Sequence, residues 1–327
     1  MNSADIRIEN KRRIYKSMLD GTYYTKQQIS KKTGLSVATC NTLLNELRNC
    51  GYLTVSEQKE FHEAGRASYR FKIHAQHEHY IFVNTFIQNK KRIVDFYICD
   101  ALGSIQEKIQ KDYEFLTLEL LQEEVRLLVN TRNNIQQILF AFPGVIRNDL
   151  LCYTDIKELE GKNLMEIVKE TNLSVTMIND LHAVAYGFES FEQAKNDVVT
   201  FAGFTKHQYP GTVTMHKGQV ISGSHGIAGL VGFMPFDQEM EKLPELMVEG
   251  TCVPILCKTI GAAIALLNPS RIICTGDLIN EAVLLDVRSY CAKSVPEQYM
   301  PTFNNVSDFN SYLLKGLFHL AIEKKIF

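Results

Sequence analysis

The first 75 residues contain three short helical patterns followed by two strand patterns, an order that few small folds share. The first pattern, Arg12–Leu19, stops at Asp20-Gly21, a dipeptide typical of turns. The second, Lys26–Lys32, has Thr25 as a candidate N-terminal cap and Gly34 where a tight turn is needed. Two short helices joined by a glycine-containing turn have the spacing of a helix-turn-helix.

The third pattern, Val37–Asn49, is amphipathic and begins after Ser36, a second candidate cap. The residues expected to face the other helices recur at three- and four-residue spacing: Val37, Cys40, Leu44 and Leu47. In a helix-turn-helix the second helix enters the major groove of DNA by its N-terminal end. The sequence therefore predicts that the first turns of this helix contact DNA through Ser36, Ala38, Thr39, Asn41 and Thr42.

The two strand patterns, Tyr52–Val55 and Ser68–Ile73, predict a hairpin of the kind called a wing. In the second strand, Tyr69, Phe71 and Ile73 alternate with polar residues. The loop between the strands is polar and contains Arg66, which we expect to bind a phosphate or to enter the minor groove.

The charge of the chain is divided unevenly along its length. Residues 1–75 carry seven Lys and six Arg against seven acidic side chains, a net charge of +6. The remaining residues carry 22 basic and 30 acidic side chains, a net charge of −8. A basic segment joined to an acidic body indicates that the first part alone meets a polyanion, here double-stranded DNA. The alternative is a three-helix protein-interaction module with a solvated basic face.

The residues from Thr25 to Leu53, followed by AGRASYRFKIH, resemble the winged helix-turn-helix of the repressor branch of the ROK family (repressor, open reading frame, kinase). Leu35-Ser36, Ala38-Thr39 and Gly65-Arg66 match the family pattern. Val37 stands where members often carry arginine or proline, and Ala67 replaces the proline of the wing. These departures leave the operator sequence open.

From Tyr80 onward, strand patterns alternate with helical patterns, which predicts an α/β body with a mixed sheet. The strands expected are Ile81–Phe86, Arg92–Cys99, Ile138–Phe142, Val175–Ile178, Val198–Phe201, Thr212–Met215 and Ile272–Cys274. The helices expected are Leu116–Leu128, Leu181–Phe191 and Cys252–Leu267. Because 327 residues exceed the usual size of one core, we expect two domains, residues 1–75 and 76–327.

Motifs of the body also resemble the ROK family, whose kinases have an actin-like, ribonuclease-H-like duplicated fold with a ligand cleft between the halves. Phe142-Pro143-Gly144-Val145 resembles the family's PG turn, and Leu159–Leu164, which includes Asn163, resembles its sugar-side loop. Asn179-Asp180 resembles the NDA motif. The resemblance implies that Gly144, Asn163, Asn179 and Asp180 bind a ligand.

In the kinases of the family, the aspartate at the position of Asp180 takes a proton from the sugar hydroxyl. The alternative for Asp180 is a structural role, as the cap of the helix that begins near Leu181.

Several kinase features are missing from the sequence. The first phosphate loop would fall on Val83–Gln88, which lacks the aspartate and the glycines, and the second reads GFTKHQYPG, with bulky residues throughout. Phosphate approaches backbone N–H groups only where side chains are absent, so we expect no ATP and no catalysis. Leu230 and Phe233 replace the family's sugar-binding Glu and zinc-binding His, and the cysteine cluster for zinc is absent. We expect no metal and no cofactor.

The sequence therefore predicts a cytoplasmic DNA-binding transcriptional regulator, expected to be a repressor. Its sugar-kinase-like body forms a homodimer or a larger homo-oligomer and responds to a carbohydrate effector or a derivative. The alternatives are a residual sugar kinase that carries a DNA-binding domain, and a regulator without a ligand. The apolar runs are far shorter than the ~20 residues that span a bilayer, so no membrane segment is expected.

Overall fold

The computed structural model describes residues 3–56, 69–192, 197–306 and 308–327. The N-terminal part contains three helices and a small antiparallel sheet of order β1-β3-β2. Its elements are α1 (Ser3–Lys16), β1 (Tyr24–Thr25), α2 (Lys26–Thr33), α3 (Val37–Asn49), β2 (Leu53–Val55) and β3 (Arg70–Ile73). These elements confirm the predicted winged helix-turn-helix.

Local capping explains why α2 and α3 begin where the sequence predicts. Thr25 accepts a hydrogen bond from the backbone N–H of Gln28, whose side chain bonds back to Thr25, and Ser36 accepts one from Thr39. Gly34 ends α2 with a φ of +70°, which favours glycine.

Three details of the predicted N-terminal part were wrong. The first helix spans Ser3–Lys16 and not Arg12–Leu19, because its first turns are mostly polar and give little apolar periodicity. Val37 is 43% exposed, and Leu43 takes a place in the core beside Cys40, Leu44 and Leu47. Tyr69 is exposed, whereas Phe71 and Ile73 are buried as the alternation predicts.

The body begins with a five-stranded sheet of order β10-β7-β4-β5-β6. Strands β4, β7 and β10 are parallel, and β5 and β6 continue the sheet antiparallel. The elements of this lobe are β4 (His79–Gln88), β5 (Lys91–Asp100), β6 (Ile105–Tyr113), α4 (Leu118–Thr131), β7 (Ile135–Phe142), β8 (Val145–Arg147), β9 (Leu150–Cys152), β10 (Ser174–Asn179) and α5 (Asp180–Glu192).

A second five-stranded sheet follows, of order β13-β12-β11-β14-β15. As in the first sheet, parallel strands lie beside an antiparallel hairpin. Its lobe contains β11 (Val198–Gly203), β12 (Gly211–His216), β13 (Gln219–Val220), α6 (Leu243–Leu246), α7 (Val253–Leu267), β14 (Arg271–Thr275), α8 (Glu281–Cys291), β15 (Thr302–Asn305) and α9 (Phe309–Glu323). The two sheets confirm the α/β prediction.

Helices α5 and α9 pack against each other; α5 contacts strands of both sheets, and α9 contacts β4 and β7 of the first. They cross at Gly187 and Gly316, where an added Cβ would lie 1.9 Å from the Tyr312 carbonyl oxygen and 1.8 Å from that of Ala183. One apolar cluster includes this helix pair, the inner faces of both sheets and the core of the N-terminal part. None of the described helices has the length and apolar character needed to cross a membrane.

Candidate functional site

The exposed side of α3 holds the residues that the sequence predicts to contact DNA. Ala38, Asn41 and Thr42 are exposed on this side. The Ser36 hydroxyl is engaged at the start of the helix, where it lies 2.8 Å from the Thr39 hydroxyl and accepts from the Thr39 N–H at 3.1 Å. Ser36 and Thr39 are therefore capping partners as well as candidate DNA contacts.

Two further points concern the predicted DNA contacts. Arg66 lies outside the described residues. Asn45 was missed by the sequence reasoning, although it is exposed one turn after Asn41 on the same side of α3. The four-residue spacing of the two asparagines is the signal that would have found it.

Helix α1 supports α3 from behind. Arg7 and Lys11 of α1 both pair with Glu46 of α3, the latter at 3.2 Å. Burial acts to raise the pKa of Glu46, but the hydrogen bonds and charges of Arg7 and Lys11 outweigh it and lower that pKa. The acidic residue of α3, one turn after the exposed Thr42, is thereby paired with two basic residues of α1.

A cleft of about 1630 Å³ lies between the lobes of the body, and it is lined by residues from both. Gly144, Asn179 and Asp180 line the cleft, so the structure brings these three predicted ligand residues together. Asn163 is not among the lining residues; it caps a short 3₁₀ helix by accepting from the Met165 N–H at 2.9 Å. The resemblance of Asn163 to a sugar-side residue is therefore not matched by a place among the residues that line this cleft.

Hydrogen bonds and backbone conformation fix the positions of Asn179 and Gly144 in the cleft. The Asn179 amide donates to the Gly144 carbonyl oxygen at 2.8 Å and accepts from the His182 N–H at 3.0 Å, which joins the loop after β7 to the start of α5. Gly144 has a φ of +117°, and a Cβ there would lie 2.9 Å from that of Thr154. These contacts fix the floor of the cleft.

Asp180 lies at the first position of α5 and accepts from the Leu181 N–H at 2.7 Å. Asp155, which the sequence reasoning missed, also lines the cleft and accepts from the Tyr209 N–H at 2.9 Å. Burial, with repulsion from Asp155, raises the pKa of Asp180 to about 7, and burial raises that of Asp155 to about 6. Burial lowers the pKa of His182 to about 4, so its ring is neutral. The floor therefore offers carboxyl groups that exchange protons near neutral pH.

The loop after β11, residues 204–210, lines the cleft, and most of its backbone N–H groups are hydrogen-bonded. The N–H groups of Phe204, Lys206, His207, Gln208 and Tyr209 all donate to protein oxygens. The Gln208 side chain also donates to the Ile87 carbonyl oxygen in the other lobe, at 3.0 Å. This loop therefore connects the two lobes, and these five N–H groups already have acceptors and are not available to a phosphate.

The described residues contain no group of three or more His, Cys, Asp or Glu side chains that could hold a metal ion. Phe233, at the position implied for a zinc-binding histidine, makes an edge contact with Tyr153 at 5.1 Å between ring centres. An apolar ring cannot ligate zinc, so the residues at this position do not fit the metal of the related kinases.

Two family models match the chain. The model described as ROK family matches residues 95–257, and the model described as Winged helix-turn-helix DNA-binding matches residues 9–54. No curated protein sequence matches the chain.

Solved structures share the fold at low sequence identity. A ROK family transcriptional regulator, a homologue of the E. coli MLC protein, superposes with a TM-score of 0.70 at 16% identity, over 98% of this chain and 100% of that one. A ROK hexokinase from Thermus thermophilus has a TM-score of 0.55 at 11% identity, over 76% and 100%. A ROK family glucokinase from Streptomyces griseus, in complex with glucose and AMPPNP, has a TM-score of 0.54 at 12% identity, over 74% and 98%. The winged helix-turn-helix followed by a sugar-kinase-like fold is thus confirmed.

Proposed function

We propose that this DNA-binding transcriptional regulator, which matches the ROK family model and the winged helix-turn-helix model, is a repressor controlled through the cleft of its body. The observation that carries this proposal is that two features occur in one chain. Helix α3 has an exposed, uncharged polar face, and the kinase-like cleft has, at the position of the second phosphate loop, N–H groups that already donate to protein oxygens. We propose that this regulator acts in the cytoplasm, where it would meet DNA.

The body is proposed to have no kinase activity. In the related kinases an aspartate on the first strand and a glycine-rich loop hold ATP and its metal ion; here Asn84 lies on β4, and residues 204–210 carry bulky side chains with engaged N–H groups. Phosphoryl transfer depends on positioning and charge stabilisation, so a carboxylate without a phosphate cradle has no phosphoryl group to act upon. Asp180 is then a ligand residue.

The alternative that Asp180 remains a catalytic base is favoured by its place in the cleft and by its raised pKa. Turnover of ATP with a panel of hexoses and amino sugars tests the choice. We expect no sugar-dependent turnover; turnover that is abolished by Asp180→Ala would establish the kinase instead.

A route from the cleft to the DNA-binding part runs through α9. Asp308, Phe309 and Asn310 at its start line the cleft. At its other end, Glu323 pairs with Lys16 of α1, and the Lys325 carbonyl oxygen accepts from Arg12 at 2.9 Å. We propose that an effector, a carbohydrate or a derivative, moves α5 and α9 and thereby changes the position of the helix-turn-helix.

The domain boundary between residues 75 and 76 and the homodimer remain proposals. A single winged helix of modest charge binds DNA weakly at physiological salt, whereas two linked copies gain effective concentration on a two-fold symmetric operator. Leu266, Leu285 and Tyr290, on α7 and α8, are large apolar side chains that are 82%, 63% and 44% exposed. We therefore propose that the surface formed by α7 and α8 is where two copies of the chain contact each other.

The effector proposal is tested by titrating carbohydrates into the complex of the full chain with selected genomic DNA. We expect one class of carbohydrate to release DNA and Asp180→Ala to abolish that response. If Asp180→Ala only lowers the melting temperature and leaves the response intact, Asp180 has the structural role of a cap. If no carbohydrate changes DNA binding, the regulator works without this class of ligand.

A further inference from the structure

The exposed face of α3 includes two pairs of polar or small side chains, each four residues apart. Ala38 and Thr42 form one pair, Asn41 and Asn45 form the other, and all four side chains are exposed. Residues three and four positions apart lie next to each other on a helix, so the four make one continuous patch. We call Ala38, Asn41, Thr42 and Asn45 the reading patch.

The side chains of the reading patch carry no charge. The acidic residue of α3, Glu46, lies one turn after Thr42 and is paired with both Arg7 and Lys11 of α1. Arg48 follows only in the last turn. Guanine is most often read by Arg or Lys, which donate to its O6 and N7. The first turns of α3 have neither residue, so they lack the usual means of selecting a G·C pair.

The groups that the patch does offer are amides and methyl groups. An asparagine amide can bond both N6 and N7 of adenine, and small methyl groups contact the C5-methyl of thymine. The Thr42 hydroxyl donates to the Ala38 carbonyl oxygen at 3.2 Å, which leaves its methyl group for a partner. Both kinds of contact favour the same base pair, A·T.

The two amides differ in the free protein. The Asn41 oxygen accepts from Lys26 at 3.2 Å, whereas the Asn45 amide has no partner among the residues that the structure describes. Lys26 lies at the start of α2, where a phosphate would compete for its ammonium group. Asn45 is therefore free to read a base at once, and Asn41 becomes free when Lys26 turns to the DNA backbone.

We propose that Asn41 and Asn45 each read an adenine, and that Ala38 and Thr42 contact thymine methyl groups, so that each operator half-site is rich in A·T pairs. Four residues of helix rise about 6 Å, and base pairs are about 3.4 Å apart. The two adenines should therefore lie about two base-pair steps apart. The inference rests on the proposed DNA-binding function and adds the sequence class that is bound.

The experiment is selection of binding sites from a randomised double-stranded DNA library by the full-length protein, followed by affinity measurements on the selected site. We expect two A·T positions about two steps apart in each half-site. Replacing either by G·C should weaken wild-type binding roughly 5- to 150-fold, the range for one bidentate base contact.

Variants assign each position to a residue. Asn45→Ala should bind the A·T and G·C versions of one position equally, and its salt dependence should stay unchanged because no phosphate contact is lost. Asn45→Arg should prefer G·C at that position. Asn49→Ala removes an exposed asparagine from the C-terminal end of the same helix and should discriminate like the wild type.

Three results would overturn the inference. The first is that G·C pairs dominate every position of the selected half-sites. The second is that the Asn45→Ala variant still prefers A·T over G·C at both positions as strongly as the wild type. Both results would leave the DNA-binding function intact. Failure of the full chain to select any DNA at low salt would remove the inference and the proposed function together.

Discussion

Lys325 and Glu78 form an ion pair in which the side chains are only 3% and 1% exposed. The ammonium group is surrounded by aromatic rings, with the centre of Tyr52 at 4.7 Å and those of Tyr15 and Phe327 at 5.1 Å. Tyr15 belongs to α1, so the pair lies where the helix-turn-helix meets the body. Burial lowers the pKa of Lys325, although the Glu78 charge opposes this effect. This pair couples the end of the chain to both parts.

Lys325→Met should destabilise the protein strongly, because it leaves the buried Glu78 carboxylate without its partner. The loss expected for breaking a buried pair is about 3–5 kcal/mol in the free energy of unfolding, measured by urea denaturation. Lys324→Met is the control, because Lys324 is exposed and loses a hydrogen bond to the Thr176 hydroxyl, at 3.0 Å, but no buried charge pair, so it should cost much less. Equal stability of the two variants would show that the pair contributes nothing.

Gly316→Ala should force α5 and α9 apart, because the new Cβ would lie 1.8 Å from the Ala183 carbonyl oxygen. We expect a loss of about 3 kcal/mol or more, measured by thermal or urea unfolding. Gly261→Ala is the matched control in α7, where the nearest atom, on Tyr290, is 3.8 Å away. That change should stabilise by about 0.5–1 kcal/mol through helix propensity. Similar effects of the two substitutions would contradict the close crossing.

The cleft carboxyls should make stability depend on pH. Because the pKa of Asp180 rises from 3.8 to about 7 on folding, the folded state binds more protons between these values. The free energy of unfolding should therefore fall as the pH rises from 4 to 7. Asp180→Asn should make the decrease in the free energy of unfolding between pH 4 and pH 7 smaller by roughly 2 kcal/mol, after allowance for partial solvent access. Asp286 on α8 is an exposed carboxylate, so Asp286→Asn is the control and should leave the dependence of stability on pH unchanged. If Asp180→Asn also leaves it unchanged, the Asp180 carboxyl is not buried as described.

Arg66 remains a prediction from sequence. If it contacts one phosphate, Arg66→Ala should weaken binding to all DNA sequences alike and reduce the slope of log affinity against log salt by roughly one. A loss confined to the operator would instead indicate that Arg66 reads a base in the minor groove.

The sequence predicts those features whose cause is local. Caps at Thr25 and Ser36 and the left-handed turn at Gly34 depend on neighbouring residues, so α2 and α3 begin where expected. Strand β6 was missed because its exposed residues give no apolar run, and α9 because its apolar residues face three partners and give no single stripe.

The same distinction applies to the cleft. Asn179 and Asp180 are adjacent and form a recognisable motif, and the structure places them in the cleft. Asp155 joins them in the cleft, where it accepts from the N–H of Tyr209 in a loop of the other lobe. Such a contact depends on the packing of distant segments and has no signature in the sequence near Asp155.

Equilibrium binding of the full-length protein to fragments selected from genomic DNA tests the central claim most directly. We expect a few fragments to be enriched, each bound by two copies of the chain, with affinity that falls steeply as the salt concentration rises. Binding should not require ATP. Failure to enrich any fragment at low salt, by a protein that is folded, would contradict the assignment of this chain as a DNA-binding regulator.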